Sequence, residues 1–142
     1  MKLVNHLLDR KERHIIAVKP DDSVLQAIRV MAEKNIGAVV VIQDGVLLGI
    51  MSERDYARKV IVKGRASDDT PVSDIMTSEV LTTSGGETVN NCMAMMTERK
   101  IRHLPVVEDD VVVGMISIGD IVEAIISDQQ EEIEQLEHYI SG

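Results

Sequence analysis

Two short runs carry the same arrangement of a glycine, two apolar residues, a serine and an aspartate three positions on: Gly49-Ile50-Met51-Ser52-Glu53-Arg54-Asp55 and Gly114-Met115-Ile116-Ser117-Ile118-Gly119-Asp120. In each, a strand is expected to run straight into a helix N-terminus. Such an end presents unpaired backbone N–H groups and the positive end of the helix dipole, which suits a phosphate. The hydroxyl can cap the helix or bond the anion, and the aspartate can accept from both hydroxyls of a ribose. The same spacing is also a capping box, in which the two side chains serve only the helix. Two copies in register favour the ligand role, so Ser52, Asp55, Ser117 and Asp120 are candidate binding residues.

The two copies differ in charge. Arg54, with Arg58 one turn later, can supply a charge-assisted phosphate bond worth about 1.5–3 kcal/mol, or simply sit in solvent. Gly119 stands in the place of Arg54, so one site is expected to be stronger than the other. Arg99, Lys100, Arg102 and His103 cluster before the second copy's hairpin, where they serve the opposite pocket or form a solvated face. No catalytic constellation is visible: there is no Gly-x-Gly-x-x-Gly, no Walker loop and no His-rich metal spacing, His6, His14 and His138 being scattered. Cys92 is the single cysteine, so no internal disulfide forms; its spacing with Val89 and Met96 predicts a buried thiol. A non-enzyme without metal or catalytic cofactor is expected.

These runs belong to a longer repeat. Sliding the sequence by 65 residues aligns residues 24–55 with 89–120 without a gap, with ten identities in 32 positions. Within each copy the apolar period changes in the same order. Val24, Ala27, Ile28 and Met31 mark one face of a helix begun by a Ser23/Gln26 capping signature and ended near Asn35 and Gly37. A strand AVVVIQ follows, then a tight turn at Asp44-Gly45, a returning strand VLLGIM and the helix from Ser52, which Gly64 closes. The second copy repeats this, with Asp109 and Asp110 at the turn and Pro105 in the place of Val40. Short strands are expected before each copy, across residues 14–18 and 80–83. Each half therefore reads β-α-β-β-α, an α+β arrangement with α/β character, over residues 1–67 and 80–142 with a polar connector at 68–79. In that connector Val72, Ile75 and Met76 are spaced to dock on the core. The last helix carries an apolar stripe, Ile118, Ile121, Val122, Ile125, Ile126, Ile133, Leu136 and Ile140, too long for one module to cover; packing in a homodimer is the simple expectation.

Composition narrows the function. Apolar residues make up 44% of 142 and charged ones 27%, as in a folded domain rather than a disordered chain. With two Tyr, no Phe and no Trp, there are no aromatic platforms for single-stranded nucleic acid. A net charge of −9 repels a duplex or an anionic membrane. The longest apolar run, residues 37–42, is far short of a span of about 20 residues, and the N-terminus lacks signal-peptide features; a cytoplasmic protein is expected. The eight Met fall mostly at core spacing.

The 65-residue tandem, the paired Gly-h-h-Ser-x-x-Asp runs (h apolar) and the Arg-His-Leu-Pro-Val-Val segment at 102–107 together resemble the CBS-domain pair, or Bateman module, from His14 to about Ile126. The string SERDYARKVIVKGR followed by DTPVSDIMT is similar to a subgroup of small free-standing bacterial and organellar CBS-pair proteins. The resemblance implies two halves packed sheet to sheet about a pseudo-twofold axis, with clefts that take AMP, ADP, ATP, NAD(H) or S-adenosylmethionine. It implies ribose at Asp55 and Asp120, and phosphate at Ser52 and Ser117. Adenine contacts fall to Ile36, Gly37 and Ala38 in one copy and to Ile101, Arg102 and His103 in the other. Ile16, Val18, Leu81 and Thr82 would close the pockets. The implied function is a non-catalytic adenine-nucleotide sensor that signals through dimer or partner surfaces; the alternative is a ligand-free scaffold whose motifs only cap helices.

Overall fold

The computed structural model describes residues 2–10 and 15–141. The chain divides into two units, Ile15–Leu81 and a discontinuous one of Met1–His14 with Thr82–Gly142. Helix α1 (Val4–Arg10) belongs to the second. The first unit opens with β1 (Ala17–Val18), crosses through α2 (Val24–Lys34) and returns as a hairpin of β2 (Ala38–Gln43) and β3 (Val46–Ser52). β1 lies parallel to β2, with Val18 opposite Val41, and β3 antiparallel to it, in the order β1-β2-β3. Of the strand expected across residues 14–18, Ala17 and Val18 are in the strand, Ile15 and Ile16 are not, and His14 lies outside the described residues.

Local chemistry explains these elements. Ser23 Oγ accepts from Gln26 N at 3.1 Å, satisfying one amide that a helix start leaves orphaned. Val24, Ala27 and Met31 are buried, and Asn35 ends α2 at φ 55°, a left-handed conformation Asn tolerates. The turn residues Asp44 and Gly45 have φ 53° and 78°, the two positive values of a type I′ turn, whose twist suits a hairpin. Beyond Ser52 a single turn, α3 (Glu53–Tyr56), widens into a π-helical turn (Ala57–Ile61). Val72 and Ile75, in and just after a 3-10 turn (Val72–Asp74), join Val18, Val39, Val41, Met51 and Val60 in the core. Each such aliphatic side chain contributes about 1.5–3 kcal/mol on burial. The stretch expected as a connector thus completes the first unit, and Thr77 pairs with Ile50 through backbone bonds of 2.9 and 3.0 Å.

The second unit repeats these features at the 65-residue offset. Thr88 Oγ1 caps α4 (Val89–Arg99), accepting from Asn91 N at 3.1 Å, and Lys100 ends it at φ 55°. β4 (His103–Glu108) and β5 (Val111–Ser117) form a hairpin whose register shifts between Val106 and Val107, as the first shifts between Val41 and Ile42. Helix α5 (Ile118–Ser141) follows. In place of a strand across residues 80–83, Thr83 alone bridges Val106, matching Val18 on Val41. The pairing goes no further because the chain turns at Gly85, whose N–H donates to Glu108 Oε1 at 2.6 Å and whose carbonyl accepts from Asn5 N at 3.0 Å.

That last bond fastens α1 to this unit. Val4 N donates to Glu87 O at 2.9 Å, and Val89 N to Lys2 O at 3.0 Å. Val4, Leu7 and Leu8 are buried. Chain order places α1 beside the first half, yet its short apolar stripe finds its partners in β5 and α5, which lie far along the chain.

Candidate functional site

In the first unit the strand β3 delivers Ser52 to the start of α3. Ser52 N donates to Asp55 Oδ2 at 2.9 Å, and Asp55 N donates to Ser52 Oγ at 3.2 Å, a reciprocal capping box. The Ser52 hydroxyl also donates to Asp55 Oδ2 at 3.1 Å. The other carboxylate oxygen, Oδ1, meets Lys59 Nζ at 3.0 Å, and Lys59 donates onward to Ile75 O at 2.9 Å. Glu53 N, the first amide of the helix, donates to Gly37 O at 3.0 Å. Several groups that would greet an anion as bare helix-end dipoles are thus already engaged with the protein itself.

The second unit builds the same corner. Ser117 N donates to Asp120 Oδ2 at 2.8 Å, Asp120 N to Ser117 Oγ at 3.2 Å, and Ile118 N to Arg102 O at 2.8 Å. Here Ala124 stands in the place of Lys59 and Glu123 in that of Arg58. Basic side chains arrive instead from the N-terminal segment: Lys2, just before α1, and His6 and Arg10 within it line a groove of about 120 Å³ together with Leu7, Asp120, Glu123 and Ala124. Lys2 Nζ lies 3.2 Å from Ser127 Oγ and 3.5 Å from Asp128 Oδ1, and His6 Nδ1 accepts from Leu3 N at 3.0 Å.

The segments singled out for adenine and for ribose phosphate meet within each unit. Ala38 pairs with Ser52 and His103 with Ser117 across the hairpins, and the Gly37 and Arg102 carbonyls hold the adjoining helix starts. Ser52, Asp55, Ser117, Asp120, Ile36, Gly37, Ile101, His103, Ile16, Leu81 and Thr82 are half-buried, whereas Arg54 and Arg102 are exposed. Val18 and Ala38 are buried in the sheet, Val18 opposite Val41 and Ala38 opposite Ser52. Two sets of neighbours escaped the sequence reading. Lys59 was signalled by its i,i+4 spacing from Asp55; the face made by Lys2, His6 and Arg10 was regular in spacing, but nothing local tied it to Asp120.

Other polar groups serve the scaffold. Glu87 Oε1 accepts from Thr88 N at 2.9 Å and Asn91 Nδ2 at 2.8 Å; the Asn91 bond, then the Thr88 bond, lowers its pKa. The buried Cys92 thiol lies 3.4 Å from Thr83 Oγ1, and burial raises its pKa. Among the described residues no group of His, Cys, Asp or Glu could hold a metal ion, and no helix is long and apolar enough to cross a membrane.

A tandem of small mixed sheet-and-helix units, each turning a hairpin strand into a capped helix at the same corner, defines a duplicated module. The CBS domain model matches residues 10–62 and 72–127, and the chain belongs to the CBS-domain family. It is 45% identical over 127 residues to "CBS domain-containing protein CBSX3, mitochondrial" of Arabidopsis thaliana, covering 86% of this chain and 62% of that protein. The chain thus spans about three fifths of that relative's length. A solved protein with CBS domains from Burkholderia ambifaria MC40-6 is 44% identical, with a TM-score of 0.87 over 90% of this chain and 96% of that one. The CBS domain pair of protein MJ0100, solved with 5′-methylthioadenosine and S-adenosyl-L-methionine, is 25% identical, with a TM-score of 0.81 over 90% and 98%.

Proposed function

We propose that this chain is a non-catalytic sensor that binds an adenosine-bearing ligand, AMP, ADP, ATP or NAD(H), at its paired motifs and signals through a dimer or partner surface. The observation that supports this most directly is the matched corner: in each unit the hairpin's first strand and the Ser-x-x-Asp helix start are joined by the same backbone bond, Glu53 N to Gly37 O and Ile118 N to Arg102 O. Ribose hydroxyls then fall to Asp55 and Asp120. Capping does not exhaust these side chains, because an ionised carboxylate offers about four acceptor positions. Adenine falls to Ile36, Gly37 and Ala38 or to Ile101, Arg102 and His103, with Ile16, Val18, Leu81 and Thr82 closing the pockets. Phosphate meets Ser52 with Arg54 and Lys59 beside it, or Ser117, whose own helix has Gly119 and Ala124 in those places. The first motif is the stronger phosphate site on that count. The adenosine ligands of the MJ0100 pair support the ligand class.

One observation favours a second reading, a ligand-free scaffold: both Ser-x-x-Asp pairs form complete capping boxes by themselves. Calorimetry with AMP, ATP, NAD, NADH and S-adenosylmethionine separates the two. Saturable heat from at least one of them is expected; a flat response to the whole panel leaves the scaffold.

A further inference from the structure

The negative charge is not spread evenly. Residues 103–142 hold ten carboxylates and no Lys or Arg, which leaves a net +1 on residues 1–102. Seven of those carboxylates ride on α5.

Along the same helix Val122, Ile126, Gln129, Ile133, Leu136 and Ile140 fall alternately four and three residues apart, the 3.5-residue repeat of a coiled-coil seam. Its apolar members are exposed, from 40% at Val122 to 82% at Ile140, whereas the neighbouring Ile121 and Ala124 are buried within their own unit. One face of α5 is therefore spent on its own fold and a second is bare over about five turns.

Taking Ile126, Ile133 and Ile140 as one core position, the flanks are Glu123, Gln130 and Glu137 on one side and Ile125, Glu132 and Tyr139 on the other. Pairing two copies in parallel brings Glu132 of one against Glu137 of the other; antiparallel pairing brings Glu132 against Glu132 and Glu123 against Glu137. Neither arrangement supplies an opposite charge. A cation already lies against this helix on its other side, where Lys2 Nζ approaches Ser127 and Asp128.

We infer that the seam running through Val122, Ile126, Ile133, Leu136 and Ile140 docks a helix of a different protein, one with an apolar heptad face flanked by Lys or Arg. The apolar seam supplies the affinity and the acidic flanks the choice of partner.

The test uses the full chain and two synthetic helical peptides of about three heptads, both with Ile and Leu on the seam, one flanked by Lys and the other by Glu. The Lys-flanked peptide is expected to bind at least about tenfold more tightly, with a preference that shrinks as salt is added. Ile133→Asp should abolish that binding while leaving the far-ultraviolet circular dichroism and the sedimentation mass unchanged. Equal binding of the two peptides, or none, overturns the inference. So does a mass that drops on Ile133→Asp, an outcome that assigns the seam to a second copy of this chain.

Discussion

Asp55 holds the start of α3 with one carboxylate oxygen and Lys59 with the other, and under the proposed function it also holds a ribose. Removing it tests these roles separately. Asp55→Ala and Asp120→Ala should each lower stability by about 0.5–2 kcal/mol through the lost cap. Each should also weaken ligand at its own motif by about 1–3 kcal/mol, or 10- to 100-fold. Chemical denaturation reads the first quantity and calorimetry the second; a loss of stability with affinity intact in both variants would end the ribose assignment. The Ser-x-x-Asp spacing was plain in the sequence because capping is a local, three-residue affair. That same locality made it ambiguous, since one spacing serves a helix or a ligand. The groove cations beside Asp120 were not legible, because Lys2 and Arg10 reach it only through the packing of α1.

At the scale of elements, the motif glycines have a packing reason that the sequence reading did not supply. A Cβ on Gly49 would stand 2.7 Å from Met76 Sδ and 2.9 Å from the Thr77 carbonyl oxygen; on Gly114 it would meet Leu8 Cδ2 at 2.7 Å. Both alanine variants are expected to cost about 1–3 kcal/mol as overpacking. Gly49→Ala should be the worse, because a backbone carbonyl in a two-bond bridge to Ile50 yields less readily than the end of a leucine. Urea denaturation of the two variants orders them; a more damaging Gly114→Ala would mean that Leu8 is held more rigidly than the Thr77 backbone. Helices α2 and α4 and both hairpins could be read from apolar period and turn residues, since those signals sit inside each element. The widening at Ala57–Ile61 and the single-residue bridge at Thr83 could not. The first depends on how the chain after α3 meets the core, and the second on where α1 claims the backbone at Gly85.

At the scale of the molecule, the repeat predicted two halves of the same element order, and the structure adds α1 to the later one. Leu8 is 2% exposed, so Leu8→Ala should cost about 2–5 kcal/mol as a large-to-small core change. Hydrogen exchange is the sensitive measurement: protection should fall in β4 and β5 and hold in β2 and β3. A uniform loss would show that the two units open together. The arrangement also fixes an order of events during synthesis. At about 5–20 residues per second, the ribosome releases α1 several seconds before it has made the β5 and α5 surfaces that cover Val4, Leu7 and Leu8. Over that interval the nascent chain carries an apolar helix whose covering partners have yet to be made, a natural foothold for a chaperone.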